Sequence, residues 1–222
     1  TNTIIFNIYH MVFSRSLFII VLIFSHLQLI NAQTVAPEWT KKVGARTAPK
    51  GTAVFTVNNY GAIADGVSVN TVAIQKAIDA CAQKGGGIVV FKPGTYVTGS
   101  IFLKDNVHLR IDEQVTLLGS QDFNDYPDNS TRIAGIEMVW PAALINAMKV
   151  KNVAITGKGV INARGKFCWD KYWTMRKDYD KKGLRWIVDY DAKRVRTLLV
   201  QEAEDVTIKG LTFKNAGFWT VQ

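Results

Sequence analysis

Acids two apart, and cations set among aromatic rings, are the residues of this chain with chemistry in them. Asp189 and Asp191 stand two apart close to Arg194, a spacing that on a strand would put both carboxylates on one face. In so charged a stretch they read more simply as partners of neighbouring cations than as a catalytic pair. Asp112-Glu113 falls where a turn between two strands is expected, an ordinary place for solvated acids. His10 and His26 precede the folded part, and His108 takes an outward strand position as a wall residue. No His, Cys and Asp cluster at ligand spacing emerges, so neither a transition metal nor another cofactor is expected. Residues 164–196 are the richest stretch: eleven Lys or Arg against five Asp, a net +6 of the chain's formal +9. Interleaved with them are Trp169, Tyr172, Trp173, Tyr179, Trp186 and Tyr190. Aromatic faces stack on sugar rings or bases, while guanidinium and ammonium groups pair with carboxylates or phosphates, so the mixture suits a polyanionic chain. A solvated loop whose aromatics pack on the body of the protein would carry the same residues, with Asp178, Asp180, Asp189 and Asp191 neutralising their neighbours.

The elements that must position this insertion announce themselves by a spaced echo. Asn106-Val107-His108-Leu109, Asn152-Val153-Ala154-Ile155 and Asp205-Val206-Thr207-Ile208 each open a short alternating strand behind an Asn or Asp turn residue. A second apolar set follows each: Val115 and Leu117, then Val160, then Leu211 and Phe213. One such unit cannot bury its own apolar face, so the units must stack, which predicts an all-β fold, a right-handed parallel β-helix. Unrelated strands of a sandwich are the competing explanation. The starts lie 46 and 53 residues apart, more than one coil needs, so both missed coils and inserted loops are expected between them. Before the first copy, Asn70 suits a helix N-cap, and Ile74, Ala77, Ile78 and Cys81 make one apolar helix face closed by Gly85-Gly86-Gly87. Such a helix would cap the open end of the first coil. The glycines follow a helix and precede a strand, the reverse of a phosphate cradle.

The first 32 residues read as a leader. After Met11 come Arg15, an apolar run over residues 17–24 and a cleavage point after Ala32, so the chain is expected to be secreted, extracellular or in a cell wall. An uncleaved membrane anchor is disfavoured because Ser25, His26 and Gln28 break the run. Residues 1–10 carry no starting Met and read as upstream translated sequence. Residues 33–52 are then an extension and residues 53–222 one β-helix domain. Two cysteines are too few for a disulfide scaffold; Cys168 is read in a loop, free to pair elsewhere. Asn129-Ser130-Thr131 fits an N-glycosylation acceptor in a surface loop.

Asp65-Gly66, Asn70-Thr71, the run 73–81, Gly85-Gly86-Gly87 and Phe91-Lys92-Pro93-Gly94-Thr95-Tyr96 together resemble the start of the polygalacturonase family of pectin-degrading glycoside hydrolases. The likeness continues through the segment 157–165, Trp169-Asp170, and Leu211-Thr212-Phe213-Lys214-Asn215-Ala216 into Phe218-Trp219-Thr220. The resemblance implies a monomeric, inverting hydrolase of an acidic polysaccharide, pectin or polygalacturonate, with two carboxyl positions held roughly 6.5–9.5 Å apart to admit water. Its acid motifs (Asn-Thr-Asp, Asp-Asp, Gly-His-Gly) and its Arg-Ile-Lys motif do not occur here, so no catalytic residue is assigned and the chain is expected to be the front part of such an enzyme. Trp169, Trp173 and Trp219 are the candidate stacking platforms, with Arg194 and Arg196 as carboxylate partners. A Ca²⁺-using lyase on the same solenoid and a non-catalytic polysaccharide-binding or adhesive β-helix are the alternatives. Nucleic-acid binding and stable membrane insertion are not expected of a secreted chain.

Overall fold

The computed structural model describes residues 37–222; the proposed leader lies outside the described residues. Residues 37–43 contain a short 3₁₀ turn, Glu38–Lys42, and a separate compact unit spans Gly44–Gln222.

Strands β1 (Val54–Thr56) and β2 (Asp65–Val69) lead into helix α1 (Thr71–Gln83). The next coil is β3 (Gly87–Val90), β4 (Gly94–Thr98) and β5 (Ile101–Phe102). The coil after it contains β6 (Val107–Ile111), β7 (Val115–Gly119), a hairpin of β8 (Asp128–Ile133) and β9 (Ile136–Pro141), and β10 (Ile145–Met148). Then come β11 (Lys151–Gly157), β12 (Val160–Asn162), helices α2 (Lys166–Lys181) and α3 (Val188–Asp191), and β13 (Leu198–Gln201), before β14 (Glu204–Lys209) and β15 (Thr212–Lys214). Three parallel sheets result, ordered β1-β3-β6-β11-β14, β2-β4-β7-β12-β15 and β5-β10-β13, while β8 and β9 pair antiparallel. The fold is a right-handed parallel β-helix.

The echo has a backbone cause. Asn106, Asn152 and Asp205 adopt left-handed φ angles of 61°, 59° and 53°, a conformation that Asn and Asp tolerate better than other side chains. They stack from coil to coil: Asn152 Nδ2 donates to Asn106 Oδ1 at 2.8 Å, and the Thr47 hydroxyl donates to Asp205 Oδ2 at 2.9 Å and Asn152 Oδ1 at 3.3 Å. Behind each turn the inward residues align, Leu109 on Ile155 and Ile155 on Ile208, and Val107, Leu109, Ile111, Val153 and Ile155 are fully buried.

The spacing of the copies and the register of the second one differ from expectation. β6, β11 and β14 are immediate neighbours, so no coil was missed between the copies; the β8–β9 hairpin and the α2–α3 insertion alone account for the spacing. Ile161, not Val160, is the inward residue of the second copy, paired with Leu117 and Phe213. A one-residue shift sends every side chain of a strand to its other face.

Helix α1 buries Ile74, Ala77, Ile78 and Cys81 against the first coils, and burial pushes the Cys81 thiol up to about 11. Its Gln75 side chain also exchanges two hydrogen bonds with the Phe102 backbone, at 2.8 and 2.9 Å, covering a strand edge. The Asn70 side chain does not cap the helix as expected; it bridges Ile63 N at 2.7 Å, Ile63 O at 3.0 Å and Ser68 O at 2.6 Å. Gly85, at φ 85°, ends the helix, and Gly86 N closes onto Cys81 O at 3.0 Å.

Candidate functional site

The insertion expected as a charged loop is largely helical. Gly165 is the N-cap of its first helix, and a side chain there would overlap the Gly217 backbone. Gly165 N donates to Asn215 O at 2.8 Å, and Trp169 Nε1 donates to Ala216 O at 2.9 Å. These bonds fasten α2 to the segment 215–217 and fix the Trp169 ring. Tyr172, Val188 and Ala192 form a second small core under Trp169, Met175 and Tyr179. Cys168, expected in a loop, is fully buried on α2, and burial raises its thiol pKa.

Arg194 and Arg196 are buried rather than presented to solvent. Arg194 is 2% exposed, with its guanidinium carbon 4.2 Å from the Phe218 ring centroid, 4.3 Å from Tyr172 and 5.1 Å from Trp169. Its Nη2 donates to Asp189 Oδ1 at 2.9 Å. Arg196 is completely buried without a paired carboxylate among the described residues; it donates to Thr131 Oγ1 and Gln222 Oε1, both at 3.0 Å, and to Pro141 O at 3.3 Å. Desolvation pulls its pKa down to about 10, which leaves it charged at neutral pH. Both arginines are structural keys: the first packs the insertion, the second fastens the β8–β9 hairpin over the β5-β10-β13 sheet.

The tryptophans divide differently. Trp169 lines a cavity of about 590 Å³ with Gln121, Arg164, Lys166, Asn215 and Ala216. Trp219, stacked on Phe218 at 4.3 Å between centroids, lines a second cavity of about 470 Å³. Trp173 is 52% exposed, packs edge-on to Tyr172 and lines neither cavity. Asn129 lies within β8 rather than a loop, its Oδ1 buried without a partner and its Nδ2 3.1 Å from Met148 Sδ, so its amide is turned towards the solenoid.

The residue that sequence reasoning passed over is Arg164. Its Nε donates to Gly119 O at 2.7 Å, which anchors one edge of the guanidinium; no carboxylate among the described residues engages the outer fork. Its backbone takes φ 47°, held where Asn162 Oδ1 accepts from Arg164 N at 3.0 Å, and Asn162 Oδ1 also accepts from Asn215 Nδ2 at 3.1 Å. Arginine in the left-handed region costs about 1–2 kcal/mol, and such strain gathers at binding sites. In sequence, Arg164 is one cation of eleven, and only its place after Asn162-Ala163 hinted at a turn. Lys166 lies alongside in an exposed pair with Asp170 at 2.6 Å.

The acids take supporting parts. Asp189 holds Arg194, and Asp191 accepts from the Tyr179 hydroxyl at 2.8 Å. His108 is a wall residue, its Nε2 2.7 Å from Thr156 Oγ1, with burial and then Arg110 depressing its pKa against a smaller opposing effect of Asp112. Among the described residues, no three His, Cys, Asp or Glu side chains gather as a metal site.

A family model described as rhamnogalacturonase A/epimerase, pectate lyase-like, matches residues 54–218. An exo-poly-alpha-D-galacturonosidase from Dickeya chrysanthemi is 39% identical over 120 residues, 50% of this chain and 20% of that protein. A hyperthermoactive exopolygalacturonase from Thermotoga maritima superposes with a TM-score of 0.67 at 25% identity, covering 79% of this chain and 45% of that one. A family 28 exopolygalacturonase from Yersinia enterocolitica gives 0.62 at 26% identity, over 76% of this chain and 36% of that one. The chain spans less than half the length of each of these three.

Proposed function

Since the chain belongs to the rhamnogalacturonase A/epimerase, pectate lyase-like family, we propose that it serves a secreted glycoside hydrolase that cleaves galacturonosyl linkages of pectin with inversion. The observation that carries this reading is the outer fork of Arg164, held open beside the fixed Trp169 ring. A planar guanidinium anchored at one edge presents its remaining donors to a carboxylate in bidentate geometry, and the indole face offers a pyranose an apolar platform. Asn215 and Gln121 add hydrogen-bonding groups that suit sugar hydroxyls. The names of the bacterial relatives agree with a galacturonate polymer as ligand.

Inverting hydrolysis requires one carboxylic acid to protonate the glycosidic oxygen while another carboxylate activates water across the bond. We assign neither role to Asp189 or Asp191, which are engaged by Arg194 and Tyr179. The residues described here hold and orient the polymer. Titration calorimetry with an oligogalacturonate tests this directly. Arg164→Gln should weaken binding about tenfold or more, the loss expected for charge-assisted hydrogen bonds. Equal affinity of the variant and the parent protein would overturn the reading. Digestion of polygalacturonate by the complete enzyme to which this chain is proposed to belong should create reducing ends without unsaturated uronides; an unsaturated product would transfer the protein to the eliminases.

A further inference from the structure

The second cavity, about 470 Å³, has a different chemical character from the one that holds Arg164. Ile133, Trp186, Tyr190, Phe218 and Trp219 supply its walls, and its charged lining group is the Asp189 carboxylate. Trp186 is 69% exposed, so one large indole is presented to solvent. Asp189 Oδ1 is taken by Arg194, which leaves Oδ2 as an acceptor. No Lys or Arg lines this cavity; Arg185 stacks on the Trp186 ring at 4.9 Å without lining it. A uronate carboxylate placed here would meet another carboxylate and lose its hydration without gaining a cation, which is costly. A ring without charge would keep the stacking and could donate a hydroxyl to Asp189.

One buried guanidinium packs against a lining ring of each cavity. Arg194 lies between Trp169, which lines the first, and Phe218, which lines the second. We infer that the cavity of Trp186, Asp189 and Trp219 is a subsite for an uncharged pyranose, adjoining the carboxylate-reading subsite of Arg164, so that the protein prefers pectin whose charge is interrupted. The uncharged ring is a methyl-esterified galacturonosyl residue or a neutral sugar. This inference rests on the proposed pectin-binding function.

The test compares three probes on the parent protein, Trp186→Ala and Arg164→Gln by calorimetry: an unesterified oligogalacturonate, its partly methyl-esterified counterpart and a neutral galacto-oligosaccharide. Trp186 is largely exposed, so its removal leaves the fold intact, and a thermal melt of each variant verifies this. The parent should bind the partly esterified probe more tightly than the unesterified one. Trp186→Ala should weaken binding of the partly esterified probe about tenfold, as loss of an aromatic anchor does, and leave the unesterified probe within twofold. Arg164→Gln should weaken both galacturonate probes. Binding of the neutral probe that Trp186→Ala abolishes identifies a neutral sugar as the occupant; its absence identifies the methyl ester. A parent that prefers the unesterified probe, or a Trp186→Ala variant that leaves the partly esterified probe unaffected, overturns the inference. Failure of Arg164→Gln to weaken either galacturonate probe overturns the pectin-binding function instead, so the two failures are distinguishable.

Discussion

Arg164 and Arg194 lie in one insertion and carry the same charge, yet burial sets them apart. Arg164 is half-buried with one edge anchored, whereas Arg194 is 2% exposed and enclosed by Trp169, Tyr172 and Phe218. A guanidinium without access to solvent can support a binding surface only by packing it. Arg194→Met should therefore lower the unfolding free energy by about 3 kcal/mol, because it strips Asp189 of its partner and removes the stacked cation. Chemical denaturation measures this. A variant with parental stability and lost oligogalacturonate affinity would instead make Arg194 a substrate ligand. Arg196 makes the related point that a buried cation can be held by neutral acceptors, here Thr131, Gln222 and the Pro141 carbonyl, even with its Nε left without a partner.

At the scale of the element, each coil begins with a left-handed turn residue, and the turn residues support one another. Asn152 is central to that stack, with hydrogen bonds to Asn106 and Thr47. Asn152→Ala should cost about 2 kcal/mol, combining the left-handed backbone penalty of an alanine with the lost side-chain bonds. Asn152→Gly should recover the backbone part and remain less stable than the parent only by the lost bonds. Urea unfolding of the pair separates the two contributions; equal losses for Ala and Gly would show that the hydrogen-bond ladder, not the backbone angle, dominates. This conformational demand is also why the echo was readable at all. The helix α1 face was legible for a similar reason, since Ile74, Ala77, Ile78 and Cys81 repeat at the helical period and all four are buried. The Asn70 side chain was less legible, because an Asn before a helix can equally clip the preceding turn.

For the whole molecule, the formal charge of +9 overstates the field available to a ligand. Within the insertion Lys166, Arg176, Lys181 and Arg194 pair with Asp170, Asp180, Asp178 and Asp189, and Lys193 reaches Asp128 on the hairpin. Among the described residues that leaves Arg164, Lys171, Lys177, Lys182, Arg185 and the buried Arg196 without a paired carboxylate, and their attraction for a ligand is screened over a Debye length of about 10 Å at 0.1 M salt. Raising salt from about 0.05 to 0.5 M should weaken binding of unesterified oligogalacturonate severalfold while leaving a fully esterified analogue nearly unchanged. Equal salt sensitivity of both ligands would mean that the carboxylate is not being read. No described helix is long and apolar enough to cross a membrane.

The sequence by itself determined the kind of fold, because the rules that encode it are local. Left-handed tolerance belongs to Asn106, Asn152 and Asp205 as residue types, and alternation along Val107–Ile111 needs only neighbours. It also marked the stretch 164–196 as the place where cations and aromatic rings concentrate. Only the tertiary structure decided which of those groups are buried and which stay accessible. Arg194 is closed off by Phe218, Arg196 by the hairpin, and Arg164 is held open through Gly119, all contacts between residues far apart in the chain. The registers of Ile161 on Leu117 and Phe213 were settled in the same way, by stacking across coils rather than by the order of residues within one. Burial is a property of the assembled neighbours, so a count of charges along the chain cannot distinguish a binding arginine from a structural one.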